Sequence, residues 1–250
     1  MDPHDFDYAI LDIIDHRPWP VPAAPWVMTQ TWHDLLFAHW PVDATRLAAK
    51  IPAPLVLDVH DGQAWLGIVP FHMTNVAPRR VPAMPFASAF AELNVRTYVR
   101  DGDKPGVYFF SLDAASAVAV YVARTLFDLP YFPASMDVAR ADGRVRYRSR
   151  RTSGPAAAFA GTYRPAGEVF YARPGSLEYF LTERYCLYTV SGGEARRVDI
   201  HHPPWPLQEA EAMIEVNTMA DAHGLALPAS SPIVHFARRL DVVAWLPARC

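Results

Sequence analysis

Four dipeptides constrain this chain more than any other feature: Asp61-Gly62, Asp101-Gly102, Asp142-Gly143 and Gly192-Gly193. Each offers the positive backbone angles that a tight turn between antiparallel strands requires. Each also separates two runs that read as strands: 55–60 from 63–73, 88–100 from 106–112, 136–140 from 144–151, and 186–190 from 194–201. Repeated hairpins predict antiparallel sheet. A further strand is expected over 233–246, bent or bulged at Arg238, Arg239 and Asp241.

Helices are expected over 31–39 and 43–50, over 114–127 with Asp113 as its cap and Pro130 as its stop, over 177–184 behind Pro174, and over 207–223 before Gly224. Helices inserted between hairpins give an α+β class with a closed or half-closed antiparallel β-barrel, not a doubly wound sheet. Pro18, Pro20, Pro22 and Pro25 mark an extended N-terminal segment over 1–25, followed by a single domain over 26–250. With 250 residues, 51% of them hydrophobic, the chain can bury a core without disulfides. Cys186 and Cys250 lie far apart, and the first fifteen residues hold five aspartates and no basic residue, unlike a secretory leader. The apolar stretch 114–123 is about half a membrane span. A cytoplasmic protein with no membrane partner is the expectation.

Strand 88–100 holds the most informative pattern. Alternation puts Phe90, Glu92, Asn94, Arg96 and Tyr98 on one face, and Leu93, Val95, Thr97 and Val99 on the other, packed face. The first face is either solvated or the polar lining of a lumen, where Arg96 could grip a carboxylate and Glu92 could move a proton. Aromatic segments around Trp32, Trp40, Trp65, Phe71 and Tyr108 to Phe110 suit a core or a pocket wall. Arg144, Arg146, Arg148 and Arg150 share one strand face and are read as an exposed stripe, with no nucleic-acid partner expected in a slightly acidic chain. Metal and cofactor sites are not expected: His201 and His202 point to opposite faces, and nucleotide-binding glycine motifs and a nucleophile elbow are lacking.

Leu35-Leu36-Phe37 with His39-Trp40, Trp65-Leu66-Gly67, Pro70-Phe71, Glu92 through Val99, Gly106 through Ala114, Leu129-Pro130-Tyr131 and Phe180 through Tyr185 follow one another in an order that resembles a known family. It is the YqjF-like group of uncharacterised bacterial proteins, related to the acetoacetate decarboxylase superfamily. The resemblance implies a β-barrel with a central cavity and surrounding helices. In the decarboxylases a lysine after a helix forms an imine with the substrate ketone, and a neighbouring lysine lowers its pKa. Here Tyr131 and Phe132 stand where those lysines would align, so imine chemistry there is lost; Lys50 and Lys104, the only lysines, are not substitutes. Glu92 matches the family's acidic residue.

The expected function is binding of a small organic acid or similar polar metabolite in the cavity. Arg96 would orient the anion, Glu92 would act as acid, base or acceptor, and Tyr131 would supply a hydroxyl, with Phe71, Phe90, Asn94, Tyr98 and Phe110 as further ligand contacts. Two alternatives stand beside it: a structural or interaction protein held by a buried Glu92–Arg96 ion pair, and a lyase or hydratase acting on a small oxo acid. The apolar residues of 207–223 are compatible with a homodimer.

Overall fold

The computed structural model describes residues 6–81 and 88–250. After a short 3-10 turn at Tyr8–Asp12 come β1 (Met28–Val42), α1 (Ala44–Ala48), β2 (Val56–Leu57), β3 (Ala64–Pro78), β4 (Phe90–Asp101) and β5 (Lys104–Ala114). Then follow α2 (Ala117–Leu126), β6 (Tyr131–Ala141), β7 (Arg144–Arg151), β8 (Ala158–Phe170) and α3 (Leu177–Thr182). β9 (Cys186–Ser191), β10 (Glu194–His201), β11 (Leu207–Asn217), a 3-10 turn at Asp221–His223, β12 (Ile233–Ala244) and β13 (Ala248–Arg249) complete the chain. All thirteen strands join one sheet, in the order β13-β10-β9-β5-β6-β7-β8-β11-β12-β1-β3-β4-β2, and β4 also pairs with β5 and β10 with β12. The fold is mostly sheet with few helices.

Three of the four turn signals join adjacent strands: β4 to β5, β6 to β7 and β9 to β10. Asp61-Gly62 does not. It closes only a single bridge between His60 and Gln63, while β2 pairs with β4. The sheet is also not purely antiparallel, because β5 runs parallel to both β6 and β9. That contact brings backbones close: a Cβ on Gly106 would lie 2.6 Å from the Tyr188 ring and 2.7 Å from Cys186 Sγ.

Two expected helices are strands. Residues 31–39 lie inside β1, and Leu35 through Trp40 are all buried. Leu36 joins a core with Leu66, Leu93 and Phe236 on one face of the sheet, and Leu35 and Phe37 join a second with Phe71, Leu112 and Trp205 on the other. A strand covered on both faces reads as an unbroken apolar run, which periodicity cannot tell from a buried helix. Residues 207–217 form β11, with Glu209, Glu211, Met213 and Glu215 outward, despite their high helix propensity. Pairing with β8 and β12 overrides that preference. The helix cap is also different: Ser116 accepts from the Ala119 amide, and Asp113 belongs to β5.

Asp113 instead meets Arg151 of β7 in a two-point ion pair of 2.7 and 3.0 Å, with both side chains fully buried. Ile10 of the N-terminal segment packs on Val243 and Trp245. Among the described residues no helix is long and apolar enough to cross a membrane.

Candidate functional site

β4 sits between β3 and β5, so its side chains are covered on both faces. The face expected to be polar is therefore neither solvated nor less packed than the other: Glu92 is 3% exposed and Arg96 8%. Phe90, Glu92, Asn94 and Arg96 line a pocket of about 140 Å³ with Phe71 of β3, Phe109 of β5 and Tyr131 at the start of β6. Trp32, Phe127, Arg184, His202 and Trp205 complete much of the wall, and α2 covers part of it through Ala119 and Ala123.

The Tyr131 hydroxyl donates to Glu92 Oε2 at 2.7 Å. Burial pushes the Glu92 carboxyl up to about 8, the nearby Asp113 adds to the rise, and the Tyr131 bond only partly opposes it. Glu92 is thus a neutral carboxylic acid at pH 7, able to donate a proton as well as accept a hydrogen bond.

Arg96 turns the other way. Its Nη2 donates to the Leu181 carbonyl at 3.0 Å, and its guanidinium lies 5.2 Å from the Phe37 ring centre and 5.7 Å from that of Tyr98. The Tyr98 hydroxyl donates to the same carbonyl at 2.7 Å and lies 2.7 Å from His39 Nε2. Because the Tyr98 proton is committed to Leu181, His39 donates through Nε2, and burial holds its imidazole neutral. Gly67 makes room for this stack, since a Cβ there would approach the His39 ring to 3.0 Å and Arg96 Cγ to 3.2 Å.

Glu92 and Arg96 form no ion pair. Residues four apart are neighbours on a helix but stand roughly 13 Å apart along a strand. The expected buried pair therefore gives way to two separated groups. The buried ion pairs lie elsewhere, as Asp113 with Arg151 and as Asp58 with Arg184 at 2.8 Å.

Phe110 does not line the pocket. Val95 pairs with Ser111 and Arg96 with Phe109, so Phe110 is the extra residue of a β-bulge. The bulge reverses the alternation: Val107 and Phe109 face the pocket before it and Leu112 after it, while Phe110 packs against Tyr108 and His223. Tyr98 supports Arg96 from behind and is not part of the wall. Phe71, Phe90, Asn94, Glu92, Arg96 and Tyr131 do come together there.

Three buried polar atoms of lining residues have no hydrogen-bond partner: Asn94 Oδ1, Arg96 Nε and Trp205 Nε1. Each such atom costs about 1 to 3 kcal/mol. Among the described residues no lysine lines the pocket: Lys50 Nζ is near Gly224, and Lys104 stacks on Trp19. Phe132, the second residue at the expected lysine positions, points away and lies under the Arg151 guanidinium at 4.0 Å. No group of three acidic, histidine or cysteine side chains is placed to hold a metal ion among the described residues.

Residues 29–241 match the family DUF2071, described as an uncharacterized conserved protein. The chain belongs to this family. It is 51% identical over 225 residues to the uncharacterized protein YqjF of Bacillus subtilis, covering 90% of this chain and 93% of YqjF. Its fold is similar to that of acetoacetate decarboxylase from Legionella pneumophila, with a TM-score of 0.63 and 12% identity over 100% of this chain and 98% of the other. The enduracididine biosynthesis enzyme MppR, solved in complex with pyruvate, has a TM-score of 0.59 and 10% identity, with 94% and 93% of the two chains covered. These distant likenesses show the fold.

The sequence reading missed Arg184, His202 and Trp205 as pocket residues. Arg184 lies in the run from Phe180 to Tyr185 that carried the resemblance, but no local pattern marks Trp205, which reaches the site from the segment before β11.

Proposed function

We propose that this DUF2071 chain binds a small organic acid in the pocket beside β4, as the central cavity of a barrel built by its strands. The observation behind this reading is the pairing of an arginine with a neutral carboxylic acid inside an otherwise apolar pocket. Arg96 orients the carboxylate, Glu92 hydrogen-bonds or protonates a second oxygen, and Tyr131 holds Glu92 in place. Pockets of this kind, apolar with a few convergent polar groups, are the usual form of small-molecule sites. Without a pocket lysine, any turnover of an oxo acid would proceed by proton transfer from Glu92 and not through an imine.

The test is a thermal-shift panel of carboxylic, oxo and hydroxy acids, pyruvate included, on the wild type, Arg96→Ala and Glu92→Gln. A ligand at about a hundred times its Kd adds about 2.7 kcal/mol, or roughly 5 to 10 °C for a chain of this length. A shift in the wild type that Arg96→Ala abolishes is the expected result. A panel in which no acid shifts the wild type, or in which Arg96→Ala responds equally, overturns the reading.

A further inference from the structure

The two polar groups of the pocket are far apart and differently charged. Along β4 the backbones of Glu92 and Arg96 are separated by roughly 13 Å, and the Arg96 head leans further away, toward Tyr98 and Leu181. Arg184, the other cation of the wall, gathers at the same end, with its guanidinium 5.0 Å from the Tyr98 ring centre. Asp58 pairs with Arg184 but is not part of this pocket's wall. The opposite end holds Glu92, Tyr131 and, behind them, the negative Asp113 within its pair with Arg151. Between the ends the wall is apolar, formed by side chains such as Phe71, Phe109, Leu112 and Trp205.

A ligand as short as acetate cannot touch both ends. A dicarboxylate would place its second charge against a carboxylic acid and a nearby aspartate, with no cation to receive it. Resting on the reading that the pocket binds an organic acid, we infer that its ligand is an elongated monocarboxylate. The anion lies at Arg96, an apolar body fills the middle, and an uncharged carbonyl oxygen accepts a hydrogen bond at Glu92. The pocket is comparable to the roughly 150 Å³ cavity that holds one benzene molecule, so the body is about the size of a ring or a short chain.

Calorimetric titration of the intact protein with four probes tests this: acetate, octanoate, octanedioate, and octanoate carrying a ketone on the carbon next to its terminal methyl. Each buried methylene strengthens binding about fourfold, so octanoate is expected to bind at least a hundredfold more tightly than acetate. The ketone is expected to add a further factor of about 3 to 10, lost in Glu92→Ala but retained in Glu92→Gln, whose amide still donates. Octanedioate is expected to bind at least tenfold more weakly than the keto acid.

Acetate binding as tightly as octanoate, with Arg96 still required, overturns the elongated ligand and leaves the acid-binding reading standing. Octanedioate equalling the keto acid overturns the uncharged end. Failure of all four, together with a flat panel of acids, removes the acid-binding reading itself.

Discussion

Replacing Glu92 with glutamine tests the electrostatic core of the site directly. Glutamine keeps the shape and still accepts the Tyr131 hydroxyl, but it cannot ionise. In the wild type the Glu92 carboxyl moves from 4.5 to about 8 on folding, mainly through burial. Between those values the folded protein holds a proton that the unfolded chain has released, so stability falls as pH rises. At about 1.4 kcal/mol per pH unit the loss comes to about 5 kcal/mol, complete above pH 8. The buried histidines work in the opposite sense: His202, held at about 4 by desolvation, adds stability as pH rises from 4 toward 6.5. Those residues are shared by both proteins, so the difference between them isolates Glu92. Urea denaturation across roughly pH 5 to 9 should give Glu92→Gln a stability that does not share the alkaline decline. Above pH 8 the variant should be the more stable by several kcal/mol, equivalent to about 10 to 15 °C in Tm. Identical slopes for the two proteins between pH 6.5 and 9 would refute the claim that Glu92 is buried as a neutral acid.

The same ionisation should weaken binding of any carboxylate ligand above about pH 8, and Glu92→Gln should remove that dependence in a titration series. Asp113→Ala leaves Arg151 buried without its partner and should cost about 3 to 5 kcal/mol by denaturation, whereas a well-packed apolar replacement of both residues should recover most of the loss. Gly106→Ala drives a methyl group into Tyr188 and Cys186 and should cost about 1 to 3 kcal/mol; a variant as stable as wild type would contradict the close approach of β5 and β9. Arg148→Ala, on the exposed face of β7, should change stability by less than about 0.5 kcal/mol.

Hairpins were legible because their turns are chemically marked. Asp101-Gly102, Asp142-Gly143 and Gly192-Gly193 sit at strand junctions, and β7 alternates exposed arginines with buried Val145, Tyr147 and Ser149 as its sequence requires. β1 and β11 were misread for opposite reasons. In β1 both faces are buried, so no alternation survives in Leu35 through Trp40; in β11 the alternation is present, but it is written in alanine, glutamate and methionine, which favour helices. The grouping of Glu92, Asn94 and Arg96 on one face followed from strand period alone. Their relation to one another did not, because an ion pair depends on distance along the strand and on where each head group turns. Phe110 shows the limit most sharply: a one-residue bulge, unmarked by glycine or proline, exchanges its place with Phe109.

The loss of a lysine at position 131 changes more than one reaction step. A lysine there would need Glu92 ionised as its counter-ion, and the pair would make the far end of the pocket charged. Tyrosine needs no counter-ion. Its hydroxyl donates to Glu92 at 2.7 Å, and burial holds it well above its usual range. With both groups uncharged, the end of the pocket remote from Arg96 becomes apolar in its electrostatics while keeping a hydrogen-bonding acid. The substitution therefore accounts together for the neutral Glu92, for the concentration of cations at the Tyr98 end, and for a pocket suited to an acid with one charged end. Tyr131→Phe separates the parts of this argument. Removing the hydroxyl takes away the one interaction that favours the carboxylate, so the Glu92 pKa should rise above 8. Carboxylate binding should then persist to higher pH than in the wild type; a binding curve that weakens at lower pH would show that Tyr131 acts on the ligand and not through Glu92.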